Sequence, residues 1–449
     1  MMSQQEVCRT QALIAEFSRT DGVDPSRQRL GKHQKMTGSA FRFLRGSSGL
    51  FYADIASGLL ALPQSLTLWP VTTVMGDCHL SNFGFFTEEG SSGSEVIFAP
   101  NDFDDACIGH AVWDLSRFAV SLLLAVDESQ QQLASSPAAQ PPLQAATAEQ
   151  AAAAVLLFFR QYARQCQQIA ANPELRYQAQ PAFAKQHVLH QAQKKARRRA
   201  TTGEHFLTKS TLAKLVDLHT RPLQFNQDPD KFLRLSPEHY EQVASSFRPY
   251  VNDEILDIVS RQGAGTGSMN LQRYYLLVGP KALLTAGQQT AEDLMLCHVV
   301  EAKQQRRSAP LHFFAGLDPV NQLNDAHLTV DCQRLMQRRP DLVLDEHYFA
   351  GAHYLVRSLH HANVDLDPVD ICLHPTAPGQ QLLDYASACA DALALAHSRG
   401  DRRSVRFEQA VAATLPAQAS ALLQVCQQYA GQMRVDCGLL AGLLEQQSV

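Results

Sequence analysis

The stretch from Thr67 to Val126, TLWPVTTVMGDCHLSNFGFFTEEGSSGSEVIFAPNDFDDACIGHAVWDLSRFAVSLLLAV, limits the fold more than any other part of the chain. VTTVM is a short apolar, β-branched run and reads as a strand. GFFTEEG and SEVIFAP, joined across a Gly/Ser turn, read as two further strands, the second running into acids. VWDLSRFAVSLLLAV then carries apolar residues at helical spacing, with Asp114 in its first turn. Strand and helix signals so closely interleaved call for a mixed α and β architecture.

The rest of the chain agrees. Its 449 residues allow two or three folding units or one large enzyme-like body. With 45% hydrophobic and 18% charged residues it has the composition of a globular protein rather than a disordered one. No apolar run approaches the roughly 20 residues that a bilayer span needs. The N-terminus lacks a basic region followed by an apolar stretch, so a cytoplasmic protein is expected. Lys and Arg total 39 against 44 Asp and Glu, a net charge of −5 that gives no general reason to bind nucleic acid. The 10 cysteines form no CxxC pair and read as reduced, partly buried thiols.

Residues 128–154 are low in complexity and broken by prolines, which reads as a mobile linker or surface excursion leading into a helix near 146–172. KKARRRATTGEHF, at 194–206, is a basic run that reads as a solvated helix face, with contact to an anionic ligand as the alternative. EILDIVSRQGAGTGSMNLQRYYLLV (254–278) reads as strand, Gly-rich turn, strand, and LMLCHVVEAK (294–303) as one more strand. From about 382 onward the periodicity is helical, and no fixed-period repeat is present.

Three constellations carry chemistry. In Met75-Gly76-Asp77-Cys78-His79-Leu80-Ser81-Asn82, an acid precedes an Asn on one loop between strands. Phosphoryl transfer uses that pair: Asp orients or accepts the proton of an attacking hydroxyl, and Asn binds magnesium held against nucleotide phosphates. Metallophosphoesterases also use Asp-x-His as metal ligands, but the chain has neither GDxxD nor GNH. In Asn101-Asp102-Phe103-Asp104-Asp105 the carboxylates repel one another unless a cation offsets them, and magnesium suits such an oxygen-rich turn. If the preceding strand continues that far, Asp102 and Asp104 face one side and Asp105 the other. Asp114 is expected to brace the loop rather than react. The third is Gly263-Ala264-Gly265-Thr266-Gly267-Ser268, followed by a strand rather than a helix, which is the form of a phosphate-covering flap. Lys303, on the strand beyond it, is placed to reach the phosphates.

Together GDCHLSNFG, NDFDDA and WDLSR resemble the catalytic and metal-binding loops of the protein-kinase-like superfamily, nearest to its aminoglycoside and choline phosphotransferase branch. More closely, FRFLRGSSGLFYADIA, GDCHLSNFG, NDFDDACIGHAVWDLSRFAVS, QGAGTGS, HYLVRSL and ALAHSRGD resemble, in order, a bacterial family known as domain of unknown function 2252. The resemblance covers about residues 30 to 402. It implies Asp77 as the catalytic or orienting acid, Asn82 and Asp102 as magnesium ligands, and Asp104 as a further contact. It also implies that Gly263, Gly265 and Gly267 cover the phosphates of ATP, and that Arg45 and Arg357 approach them.

Kinases place flap and Lys before the catalytic loop, whereas here both follow it. The resemblance therefore implies an α+β, two-lobed kinase-like fold that is circularly permuted. The expected divisions are 1–250 with the catalytic and metal-binding loops, 251–310 as the nucleotide lobe, and 311–449 with the remaining strands and C-terminal helices. The strand reads Val300-Glu301-Ala302-Lys303 where relatives resemble Lys-Glu-Ala, and Ser268 stands where a kinase loop has Gly. The leading expectation is an ATP- and magnesium-dependent phosphotransferase acting on a hydroxyl of a small molecule or protein, with nucleotidyl transfer as a close variant. The departures motivate an alternative, a catalytically silent nucleotide-binding regulator, and a phosphohydrolase using His79 is a distant third. Nothing in residues 146–250 spells an acceptor signature.

Overall fold

The computed structural model describes residues 3–89, 93, 95–135, 142–220, 222–262, 271–284 and 290–446. The chain opens with helix α1 (Gln4–Asp21), started by a reciprocal Ser3/Glu6 capping box and stopped by Gly22 in the left-handed conformation. Two short helices, Gly31–Met36 and Ala40–Gly46, precede helix α2 (Ser48–Ser57). The informative stretch then unfolds as anticipated into β1 (Thr72–Val74), β2 (Phe83–Glu88), β3 (Glu95–Pro100), β4 (Cys107–Gly109) and the long α3 (Ala111–Ser135). Almost every residue of α3 up to Val126 is buried, because its apolar positions surround the helix rather than forming one stripe. The predicted helix near 146–172 is α4 (Ala148–Ala171), capped by Thr147 and Gln150. The basic run forms α5 (His190–Arg199), with its Lys and Arg side chains mostly toward solvent.

Next come β5 (Phe232–Arg234), α6 (Pro237–Phe247), β6 (Glu254–Arg261), β7 (Arg273–Gly279) and β8 (His298–Gln304). Helix α7 (Asp325–Met336), β9 (Leu344–Phe349), β10 (Ala352–Leu359) and β11 (Val364–Asp365) precede two closing helices, α8 (Pro378–Gly400) and α9 (Arg406–Glu445). Six strands form one antiparallel sheet in the order β9-β10-β8-β7-β6-β5. A smaller sheet, β11-β2-β3, and the pair β1-β4 sit with the helices. The molecule is therefore mixed α and β.

The cores follow this division. One large apolar cluster joins α1 to α4, α8 and α9 with β2 and β3. The six-stranded sheet has a separate cluster on each face, built by strand alternation. Ile258, Leu276, Val300 and Val356 face α6, while Val259, Leu277 and Val299 pack against the segment from Phe206 to Phe232. All ten cysteines are free thiols, and all but Cys8 are buried. Among the described residues no helix is long and apolar enough to cross a membrane.

Candidate functional site

The loop after β1 is held from below by two residues one helical turn apart on α3. Asp114 accepts hydrogen bonds from the backbone N–H groups of Met75 (2.6 Å) and Gly76 (3.1 Å), and its Oδ2 lies 3.0 Å from Nε2 of buried His397 on α8. Asp114 braces the loop, in the role expected of it. Arg117, fully buried, donates from Nε to Asp77 Oδ1 (2.6 Å) and from Nη2 to the Leu44 carbonyl (2.8 Å). Gly76 has φ +74°, and a Cβ there would collide with the Asp105 carbonyl, so only glycine lets this loop meet the acidic turn. Asn82 donates its side-chain N–H to the Asp77 carbonyl (2.8 Å), which leaves the amide oxygen as the atom it can offer a cation.

The acidic turn departs from the alternation expected of it. Strand β3 ends at Pro100, and residues 101–106 form a turn instead of a continued strand. The position of Asp105 is consequently set by the turn and not by strand alternation. Asp105 is buried and pinned, accepting from Ser48 Oγ (3.1 Å) and the Ala309 N–H (2.8 Å). Asp102 and Asp104 remain at the cleft, and the Asp104 N–H donates to Asp102 Oδ1 at 3.3 Å.

The opposite wall is the polar end of the six-stranded sheet. Register sets Glu301 opposite Arg357 on β10, and Lys303 opposite Arg273 on β7, so all four side chains share one face. Buried Glu301 pairs with both Arg357 (3.0 Å) and Arg273 (3.1 Å). Lys303 reaches across the cleft to the Asp104 carboxylate. Burial, with Arg357 and Arg306 nearby, brings the Lys303 ammonium down to about 7, while Asp102 acts in the opposite sense. On the other wall, burial raises the Asp77 carboxyl above the usual carboxylate range against the pull of Arg117. Burial also drives His79 well below the normal imidazole range, leaving it neutral.

Between the walls lies a cavity of about 320 Å³. Arg45, Asp77, Asn82, Asp102, Asp104, Lys303 and Arg357 all line it, although they come from segments far apart in the chain. Gly263, Gly265 and Gly267 lie outside the described residues; β6 and β7, which flank them, are antiparallel partners, and Leu271 just beyond them lines the cavity. Sequence reading passed over Arg117, Arg273, Glu301 and Arg306. Arg117 had a signal, a charge inside an otherwise apolar helix that must find a partner. Arg273 and Glu301 become visible only through strand register, and Arg306 only because the segment after β8 lines the cavity.

The donor set fits magnesium in one specific respect. Among the described residues no three His, Cys, Asp or Glu side chains gather into a metal-holding group. Magnesium needs fewer, because it binds through one or two carboxylates plus phosphate oxygens and waters. Asp104 Oδ1 is buried without a hydrogen-bond partner, a carboxylate oxygen that a cation would satisfy, and Asp102 is beside it.

No curated protein and no solved structure matches the chain. A family model described as "Uncharacterized protein conserved in bacteria (DUF2252)" matches residues 25–440, and the chain belongs to that family.

Proposed function

We propose that this DUF2252 protein is an ATP- and magnesium-dependent phosphotransferase acting on a hydroxyl acceptor, with the two walls of the cleft belonging to a circularly permuted, kinase-like pair of lobes. The observation that carries this reading is the convergence in one cavity of Asp77, Asn82, Asp102 and Asp104 with Lys303, Arg357 and Arg45. Acids alone would make a metal site and cations alone an anion site; a metal-bound polyphosphate needs both. Asn82, Asp102 and Asp104 would hold magnesium, which supplies charge neutralisation on the phosphates. Lys303, Arg357 and Arg45 would meet the phosphate oxygens, and Gly263, Gly265 and Gly267 would close over them.

Asp77 has one oxygen committed to Arg117 and the other, Oδ2, 3.8 Å from His79. Oδ2 is the oxygen that would take the acceptor's proton as its hydroxyl oxygen bonds to the γ-phosphorus and the bond to the ADP oxygen breaks. Arg117 prevents Asp77 from rotating away, so catalysis would come mostly from positioning and charge neutralisation. A cytoplasmic location, where ATP is abundant, accompanies this reading.

One observation favours the silent regulator instead: Lys303 already engages Asp104, an acid the metal would use. Incubation with γ-labelled ATP, magnesium and a metabolite extract separates the two. Transfer of label that Asp77→Asn abolishes is the expected result. Stabilisation of the fold by ATP and magnesium without any transfer would support the silent regulator, and transfer from α-labelled ATP would identify nucleotidyl transfer.

A further inference from the structure

A second cavity, of about 210 Å³, adjoins the first at Arg306, which lines both. It is enclosed by α1, the start of α2 and the segment following β8. Arg19, Lys32, Arg306, Arg307 and His312 line it against a single acid, Glu16. The ion pairs divide these cations unevenly. Arg19 is neutralised by Glu16, and Lys32 by Asp21 at 2.7 Å. Arg306 stands 3.9 Å from Asp105, whose carboxylate is already bonded to Ser48 and Ala309. Among the described residues Arg307 makes no ion pair within 4.0 Å, although Asp325, which does not line the hollow, feels its charge. A surplus of positive charge therefore faces the hollow from Arg306 and Arg307. Burial first, and then Arg19 and Arg307, bring the His312 imidazole down to about 4, with Asp105 opposing them.

The partition between the cavities is thin. Asp105 and Ser48 form it, and the Asp105 backbone rests on Gly76, the neighbour of Asp77. A hydroxyl compound anchored in the second cavity would lie next to the wall that carries Asp77.

We infer that the second cavity binds an anionic oxyacid group, a phosphate monoester or a carboxylate, and that this group anchors the acceptor. The acceptor role rests on the phosphotransferase reading; the anion site does not. Planar, multidentate guanidinium groups suit oxyanions, and the local charge opposes cationic acceptors such as choline or an aminoglycoside.

The full-length protein is titrated calorimetrically with inorganic phosphate and, separately, with succinate, so that the two anion chemistries are read apart. At least one should bind. Arg307→Ala should weaken it about tenfold, the worth of one charge-assisted hydrogen bond, and Arg307→Lys should recover part of that loss. In a Lys303→Ala background, which removes one proposed phosphate contact of the first cavity, the Arg307-dependent binding should persist. Absence of binding by both anions, equal affinity in the Arg307→Ala protein, or sensitivity to Lys303→Ala alone would each overturn the inference. The same protein is heated with ATP and magnesium. If ATP gives no stabilisation while Arg307-dependent anion binding persists, the phosphotransferase reading fails and the anion site stands. If label is transferred from ATP but anion binding ignores Arg307, only the anion site fails.

Discussion

The two walls of the cleft are built on different principles. On the helical side, the loop carrying Asp77 is tied by Asp114, Arg117, Tyr52 (to the Gly76 carbonyl, 2.6 Å) and Tyr385 (to the Leu80 carbonyl, 2.7 Å), all of them buried. On the sheet side, strand alternation simply lines up charges, and Lys303 depends on one cross-cleft ion pair with Asp104. The first wall is part of the fold's stability. The second is tied less firmly, its ammonium resting on the Asp104 carboxylate across the cleft. Rigid orientation of the acid proposed to react, beside more loosely held cations, is what the proposed transfer would require.

Asp114→Asn should have the largest effect. The side chain keeps its shape, but its amide nitrogen must face either the Gly76 N–H or the Met75 N–H and His397, where a carboxylate oxygen stood. Leaving the groups it faces unsatisfied in the core should cost about 3 kcal/mol, measured by denaturant unfolding. Gly76→Ala tests the same wall through the backbone. Positive φ and the collision with the Asp105 carbonyl together should cost about 2 kcal/mol and weaken the ATP response, since the loop and the acidic turn would separate.

Lys303→Met should change stability least, by about 1 kcal/mol or less, yet remove most of the stabilisation by ATP. A loss as large as that of Asp114→Asn would erase the distinction between the walls. The pH dependence sharpens the same point. Folded Lys303 releases its proton near 7, whereas an unfolded lysine does so near about 10.4. Between those values the unfolded chain binds more protons, so this residue's contribution to stability rises with pH, and below 7 the cost of burying the charge is complete. Under the proposed role, in which the Lys303 ammonium meets phosphate, ATP affinity should move the opposite way, falling between about pH 6 and about pH 9 with proton uptake on binding. Calorimetry in two buffers of different ionisation heat measures that proton, and Lys303→Met should abolish it.

Much of the local structure was legible in the residues. The β-branched VTTVM, the aromatic strands around the Gly/Ser turn and the apolar VWDLSRFAVSLLLAV each became the expected element, and Asp114 became the brace expected of it. The alternation considered for the acidic turn depended on a continued strand; Pro100 ends that strand, and Asp105 is set apart from Asp102 and Asp104 by its hydrogen bonds instead. Arg117 could have been found, since a lone Arg within a buried apolar helix demands an acid. Arg273 and Glu301 could not, because nothing local says that Arg273 lies opposite Lys303 or that Arg357 lies opposite Glu301.

What the amino-acid order determined by itself was the periodicity of each element and the kinds of oxygen and nitrogen atoms available to a site, because both depend on neighbours within a turn or two. What only the tertiary structure decided was which of those atoms meet. Strand register and the packing of α3 against the loop after β1 carry Asp77 and Lys303 to opposite sides of one cavity. Those pairings are fixed by burial of the apolar faces beneath them, a property of the whole fold that no short stretch of chain encodes.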